Sequence, residues 1–154
     1  MKSDKWIYFD MDGTLNRFYD VPNWLAMLIN SDPTPYKLAK PLVNMNQLAR
    51  KLNQLQRAGY KLGIISWLSK TSTPEYDEAV TAAKLWWLKK HLASVNFDDI
   101  NIVSYGINKW EVCGVGILFD DEDKNRDTWQ GKAYHPDMMM KVLNELMKGG
   151  IVNV

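Results

Sequence analysis

The chain has 154 residues, a length that suits one compact domain with a single hydrophobic core. With 46% hydrophobic and 24% charged residues, it has the composition of an ordinary globular protein. Its formal net charge of +1 gives no bulk electrostatic reason to bind nucleic acid or a membrane surface.

The first third of the chain combines one strand with a proline-rich segment. Residues 5–9, Lys-Trp-Ile-Tyr-Phe, predict a buried strand that runs directly into Asp10. Residues 15–41 have an irregular pattern with four prolines. This segment is predicted to be an extended loop or a small cap, with a short helix around 23–29.

Two helices with a strand between them are predicted for the middle of the chain. Residues 43–58 carry apolar side chains at helical spacing and are followed by Gly59, a residue type that commonly ends helices. Residues 60–65 predict a second buried strand. The next helix starts at 73–75, with proline at its first position, and is expected to run to about Leu92.

Three strands and a helix are predicted for the rest of the chain. Residues 101–104, 116–119 and 132–134 predict the strands, and 136–147 the helix. Alternating strands and helices are typical of a parallel sheet covered on both faces. The expected fold class is α/β, a three-layer Rossmann-like sheet, in one domain over 1–154 with the short cap-like segment as an insertion.

Polar side chains follow three of these strands at their carboxyl ends. Asp10 and Asp12 follow the first strand, Ser66 the second, and Asp120 with Asp121 the fourth. Because the carboxyl ends of parallel strands meet at one edge, four carboxylates would lie close together and repel one another without a cation. Mg²⁺ prefers such oxygen ligands and also binds phosphate oxygens. The pattern alone therefore predicts a magnesium-dependent phosphoryl site.

Four short segments match the motifs of one known family, in the same order. They are IYFDMDGTL, LGIIS, which ends at Ser66, YGINK, which ends at Lys109, and ILFDDEDKN. On these segments, which together extend over most of the chain, the chain resembles the haloacid dehalogenase (HAD) superfamily. The resemblance implies a HAD-like fold with a small or absent cap and the activity of a magnesium-dependent phosphohydrolase.

The resemblance also implies roles for the carboxylates. Asp10 matches the nucleophile, which forms an aspartyl-phosphate, and Asp12 matches the general acid and base. The implied metal ligands are Asp10, the backbone carbonyl of Asp12, and Asp121, with Asp120 supporting them. Asp123 is an alternative that replaces or assists either member of the acidic pair.

Other groups are expected to bind the phosphoryl group and the substrate. Ser66 matches the hydroxyl that donates to a phosphoryl oxygen, and Lys109 the cation that stabilises the transferring group. Lys84, on the helix after Ser66, is an alternative source of that cation, and Lys109 is alternatively a solvated lysine at a helix start. Thr14, which holds the first turn, and Trp67 are expected at the substrate.

A nucleotide or another small phosphate ester is the expected substrate. Trp67 offers a face on which a nucleobase can stack, or alternatively packs inward beneath the following helix. Phe18, Tyr19 and Trp24 present the same choice between stacking and core packing. The chain also resembles the HAD 5′-deoxyribonucleotidases in its DxDGT start, its YG-x-x-K segment, its acidic pair and a Trp-x-Gly at 129–131, but its cap is much shorter.

Two other functions stay open at this stage. One is a phosphatase that acts on a phosphoprotein or a polynucleotide end, and the other is a non-catalytic regulatory protein that keeps the fold. The complete set of motif residues argues against loss of catalysis. The single cysteine, Cys113, is interpreted as a small buried thiol. With no signal peptide or membrane-length apolar run, a cytoplasmic protein without a membrane partner is expected.

Overall fold

The fold is built on a five-stranded parallel sheet in the computed structural model, which describes residues 5–149. The strands in chain order are β1 (Trp6–Phe9), β2 (Lys61–Trp67), β3 (Asp99–Val103), β4 (Ile117–Phe119) and β5 (Lys132–Tyr134). Their order across the sheet is β3-β2-β1-β4-β5, and all neighbouring strands are parallel. This topology confirms the predicted α/β fold class.

Seven α-helices lie in the described part of the chain. They are α1 (Trp24–Ile29), α2 (Thr34–Leu38), α3 (Met45–Arg57), α4 (Pro74–His91), α5 (Lys109–Cys113), α6 (Asp123–Thr128) and α7 (Met139–Met147). Short 3-10 turns lie at Phe18–Asp20 and Pro136–Met138. The helix predicted around 23–29 is confirmed as α1. Between residues 5 and 149, no helix is both long and apolar enough to cross a membrane.

Helices pack on both faces of the sheet. On one face, Phe9 and Ile64 belong to the larger core, which they form with apolar residues of α3, α4 and α7. On the other face, Tyr8 and Ile65 pack with Cys113 of α5. This alternation follows from the two-residue period of a strand. Cys113 is 1% exposed, which confirms its interpretation as a buried thiol.

The segment 15–41, here called the insertion, folds onto α4 instead of remaining extended. It contains a 3-10 turn, α1 and α2, and its buried Phe18 and Tyr36 pack against α4 in a small separate core. Its two ends are joined, because the backbone N–H of Arg17 donates to the carbonyl of Lys40 at 2.7 Å. The insertion therefore leaves the sheet and returns to it at nearly the same place, beside the carboxyl end of β1.

Candidate active site

The carboxyl ends of β1 and β4 place two aspartates side by side. Phe9 of β1 pairs in register with Phe119 of β4, so the residues that follow, Asp10 and Asp120, leave the sheet together. The backbone N–H of Asp10 donates to the carbonyl of Phe119 at 2.9 Å. Asp10 is 7% exposed and Asp120 is 0% exposed. The two carboxylates are therefore fixed by strand pairing and shielded from bulk water.

Lys109, the first residue of α5, joins these two aspartates. Its Nζ lies 3.1 Å from Oδ1 of Asp10 and 2.6 Å from Oδ2 of Asp120, and the residue is 2% exposed. Burial alone would lower the pKa of Lys109, but the charges of Asp10 and Asp120 outweigh it and raise the pKa. The ammonium is held charged beside Asp10, and the alternative of a solvated lysine is wrong.

Asp121 completes a cluster of three carboxylates. Asp10, Asp120 and Asp121 each offer an oxygen, and the three oxygens lie within 4.8 Å of one another. Burial, followed by the charge of Asp10, raises the pKa of Asp121 to about 8 and that of Asp120 to about 7, although Lys109 opposes the rise at Asp120. Clustered oxygen donors whose charges repel one another are the donor set that suits Mg²⁺. The residues present therefore fit the predicted ion.

The turn after β1 shapes the space that Asp121 occupies. A Cβ at Gly13 would lie 2.4 Å from Oδ2 of Asp121, and Gly13 has a φ of +82°, which favours glycine. Thr14 Oγ1 donates to Oδ2 of Asp10 at 3.1 Å and accepts from the backbone N–H of Asp121 at 3.2 Å. Thr14 is 0% exposed, which does not fit the prediction that it contacts substrate. Its hydroxyl instead holds Asp10 and Asp121 in place.

Asp12 and Ser66 meet at a second buried lysine, Lys84 of α4. Lys84 Nζ donates to Oδ2 of Asp12 at 3.0 Å, to Oγ of Ser66 at 2.6 Å and to the carbonyl of Trp67 at 2.7 Å. Burial raises the pKa of Asp12, and the ammonium of Lys84 opposes that rise. Lys84 therefore does not stand in for Lys109, because the two lysines pair with different aspartates of the first motif.

Two asparagines support the site and were not predicted. Asn16 Nδ2 donates to Oδ1 of Asp12 at 3.3 Å, and Asn125 Nδ2 donates to Oδ2 of Asp120 at 3.2 Å. Asn16 directly follows the first motif and Asn125 is the last residue of the ILFDDEDKN motif, and this position is the signal that points to them. Asp123 has an 86% exposed side chain and lies outside the carboxylate cluster, so it is not an alternative metal ligand.

A cavity of about 330 Å³ opens onto these groups. Asp10, Asp12, Asp121 and Lys109 line its polar end, whereas Ser66 is 1% exposed and is not part of its lining. The walls come from the insertion, the end of β2 and the loop after β3. Their aromatic and aliphatic residues are Phe18, Tyr19, Trp24, Leu25, Leu28, Ile29, Tyr36, Trp67, Leu68 and Tyr105.

Trp67 lies in the cavity wall and not beneath α4. It is partly exposed, and its ring centroid lies 5.0 Å from that of Tyr105, which also lines the cavity. The aromatic residues of the insertion divide between the two predicted roles, core packing and stacking on a substrate. Phe18 is 2% exposed and belongs to the core of the insertion, while Tyr19 is 53% exposed and Trp24 is partly exposed at the cavity. Aromatic faces are therefore accessible on two sides of the cavity.

Comparisons with known proteins identify no family for the chain. No family model matches the chain, and no curated protein is similar to it in sequence. Among solved structures, the chain is similar to D,D-heptose 1,7-bisphosphate phosphatase from Burkholderia thailandensis, with a TM-score of 0.46 and 13% sequence identity. That similarity covers 84% of this chain and 90% of the other. A similarity of this size does not identify an activity.

The carboxylate cluster predicts that Tm depends on pH in chelator and that the increase in Tm caused by Mg²⁺ is larger at high pH. In chelator, Tm is expected to fall as pH rises from about 5 to about 8, because Asp120 and Asp121 have folded-state pKa values above the unfolded value of about 4. Their ionisation over this range then destabilises the fold. Saturating Mg²⁺ is expected to raise Tm by about 5–10 °C at pH 8, and by less at pH 5, where protons compete for the same oxygens.

Thermal melts of wild type and two variants test this expectation. Asp121→Asn removes one carboxylate of the cluster and is expected to flatten both the pH dependence and the Mg²⁺ response. Asp123→Asn is the matched control, because that side chain is exposed and outside the cluster, and it is expected to behave as wild type. A Tm that Mg²⁺ leaves unchanged at pH 8 would count against a metal at these residues.

Proposed function

We propose that the chain is a magnesium-dependent phosphomonoesterase that works through an aspartyl-phosphate on Asp10. One observation carries the proposal: Asp10 lies at the end of a cavity, with the Lys109 ammonium 3.1 Å from one of its oxygens and two further carboxylates beside it. A carboxylate paired with a fixed cation, next to a donor set for Mg²⁺, matches what phosphoryl transfer requires.

The reaction divides into two halves that use the same residues. In the first half, a carboxylate oxygen of Asp10 bonds to phosphorus, the bond from phosphorus to the ester oxygen breaks, and Asp12 gives that oxygen its proton. In the second half, Asp12 takes a proton from water, whose oxygen displaces Asp10 and releases inorganic phosphate. Lys109 balances the charge of Asp10 throughout. Mg²⁺, when bound by Asp10, Asp121 and the carbonyl of Asp12, supplies charge neutralisation of the phosphoryl oxygens.

The cavity walls favour a small ester whose leaving group has an apolar or aromatic body, such as a nucleotide. Most of the wall is aromatic or aliphatic. Among the described residues that line the cavity, Lys70 and Lys109 are the only cations, against five carboxylates. A second phosphate or a polynucleotide backbone would find few partners there. The five carboxylates also disfavour the alternative in which the substrate is a polynucleotide end.

A panel of phosphate esters in Mg²⁺ tests the proposal. Adenosine 5′-monophosphate and ribose 5-phosphate release the same kind of alcohol but differ in the base, so their kcat/KM ratio measures recognition of the aromatic body. A phosphopeptide and a 5′-phosphorylated oligonucleotide represent the larger substrates. We expect the nucleotide to be hydrolysed best. A folded protein that hydrolyses no member of the panel in Mg²⁺ would contradict phosphatase activity and favour the non-catalytic alternative.

Trp67→Ala is expected to weaken nucleotide binding by roughly five- to hundredfold while leaving inorganic phosphate binding nearly unchanged. The expected loss is the value of one base stacked on an aromatic ring, about 1–3 kcal/mol. Trp67 lines the cavity next to Tyr105, whereas free phosphate has no base to stack. Titrations on proteins that also carry Asp10→Asn measure both ligands without turnover.

The control for this variant is Trp86→Ala. Trp86 is 42% exposed on α4, outside the cavity, and contacts Lys37 and Lys90. It is expected to leave both affinities unchanged. If Trp67→Ala instead lowered both affinities equally and lowered Tm sharply, its role would be structural packing, and the main aromatic support for a nucleotide would be lost.

A further inference from the structure

Lys84 is a buried cation that the proposed mechanism does not use. It is 0% exposed, and its Nζ does not line the cavity. An ammonium has three protons, and those of Lys84 are matched by three acceptors at 3.0, 2.6 and 2.7 Å: Asp12 Oδ2, Ser66 Oγ and the carbonyl of Trp67. A lysine buried this completely loses its hydration, so its contacts must compensate for that loss. These contacts connect the carboxyl ends of β1 and β2.

The direction of these hydrogen bonds fixes two groups at once. Because an ammonium can only donate, the oxygen of Ser66 must accept from Lys84, and its own hydroxyl proton is directed away from the ammonium. Oδ2 of Asp12 is held by Lys84, while Oδ1 accepts from Nδ2 of Asn16 at 3.3 Å. The carboxyl plane of Asp12 is therefore fixed from both sides. Asp12 also lines the cavity, where a leaving oxygen would lie.

We propose that Lys84 is a positioning residue, which acts through Asp12 and orients that carboxyl group for proton transfer to the leaving oxygen. The inference rests on the proposed phosphatase function and adds a division of labour between the two lysines. Lys109 serves the nucleophile Asp10, and Lys84 serves the acid and base Asp12. A general acid contributes only when it is aligned with the oxygen that it protonates, so its alignment matters most for poor leaving groups.

Two aryl phosphates separate this role from simple structural support. For each substrate, kcat/KM reports the steps up to departure of the leaving group. Phenyl phosphate depends on protonation of that group, whereas 4-nitrophenyl phosphate depends on it much less. We expect Lys84→Met to lower kcat/KM for phenyl phosphate by about 10²-fold and for 4-nitrophenyl phosphate by less than about tenfold. Asp12→Asn is expected to show the same selectivity for the leaving group.

A double-mutant cycle shows whether Lys84 acts through Asp12. In the Asp12→Asn background, Lys84→Met is expected to cause no further selective loss for phenyl phosphate. The double variant also removes both members of the buried ion pair, so it leaves no unpaired charge inside the fold. Lys84→Gln, which keeps a neutral donor, is expected to recover part of the loss and provides a second variant if Lys84→Met is too unstable. Lys89→Met, at an exposed position of α4, is the matched control.

The possible outcomes distinguish the inference from the function on which it rests. Equal losses for both aryl phosphates in Lys84→Met and Lys84→Gln would overturn the positioning role and leave the phosphatase function standing. A selective loss that persists fully in the Asp12→Asn background would also overturn it, because Lys84 would then act on another group. Absence of hydrolysis by wild type and Lys89→Met would contradict the phosphatase function itself, and the inference with it.

Discussion

Asp10→Asn is expected to abolish turnover, lowering kcat for 4-nitrophenyl phosphate by about 10⁴-fold or more. An amide is a poor nucleophile toward phosphorus and cannot form the aspartyl-phosphate. The fold is expected to survive, since the side chain keeps its size and Lys109 retains its 2.6 Å contact with Asp120. Steady-state kinetics and thermal melts on the same preparation check both parts of the expectation.

Acid quench during turnover adds a direct readout of the intermediate. Wild type is expected to yield a phosphorylated peptide that contains Asp10, and Asp10→Asn is expected to yield none. Asp20→Asn is the control, because Asp20 is a highly exposed aspartate of the neighbouring insertion. A folded Asp10→Asn protein with wild-type turnover would show that another residue attacks the phosphorus.

Removal of divalent metal is expected to have the second largest effect, reducing activity to background in excess chelator. Without Mg²⁺, the single ammonium of Lys109 faces the three carboxyl groups of Asp10, Asp120 and Asp121, which leaves too little positive charge to hold the phosphate of the substrate. Mg²⁺ is expected to restore activity, and Ca²⁺ to inhibit it. Ca²⁺ takes more oxygen ligands at longer distances, so it would also engage the second oxygen of Asp10 and prevent that oxygen from attacking the phosphorus.

Metal titrations of variants assign the requirement to particular residues. Asp121→Asn is expected to raise the Mg²⁺ concentration for half-maximal activity by about tenfold or more, while Asp123→Asn is expected to leave it unchanged. The 86% exposed side chain of Asp123 makes it a control from the same acidic segment. Full activity in chelator would rule out the metal role of the cluster.

The local sequence pattern is enough to predict the sheet and the residues that follow the carboxyl ends of its strands. An apolar run that ends in Asp10 and another that ends in Asp120 are visible without any structure, and parallel pairing brings the two residues together. The bounds of β2 were less accurate, because the strand continues through Ser66 and Trp67, which pair with β3. Helices α2, α5 and α6 have only five or six residues each, too few to show a helical period.

The environments of the two lysines could not be predicted in the same way. Lys109 is 99 residues from Asp10 along the chain, and its burial depends on partners that only the folded sheet supplies. From sequence, Lys84 and Lys109 compete for one role, because no local pattern indicates which aspartate each lysine contacts. The expectation that Thr14 contacts the substrate differs from the structure for a similar reason. The side chain of a threonine in a turn can face the cavity or the protein interior, and here it is buried against Asp10 and Asp121.

The joined ends of the insertion have a consequence for how such a protein changes over evolutionary time. Since the backbone N–H of Arg17 is hydrogen-bonded to the carbonyl of Lys40, residues can be gained or lost in the turns between them without separating the two ends of the insertion. In a flexible loop, doubling the length costs only about 0.6 kcal/mol in closure entropy, so extra residues in the turns that connect the helices of the insertion cost little. Selection can therefore change the side chains that α1 contributes to the cavity wall while the reacting groups stay fixed. A mutant library confined to α1 would therefore change which substrates the cavity accepts and leave the reacting residues unchanged.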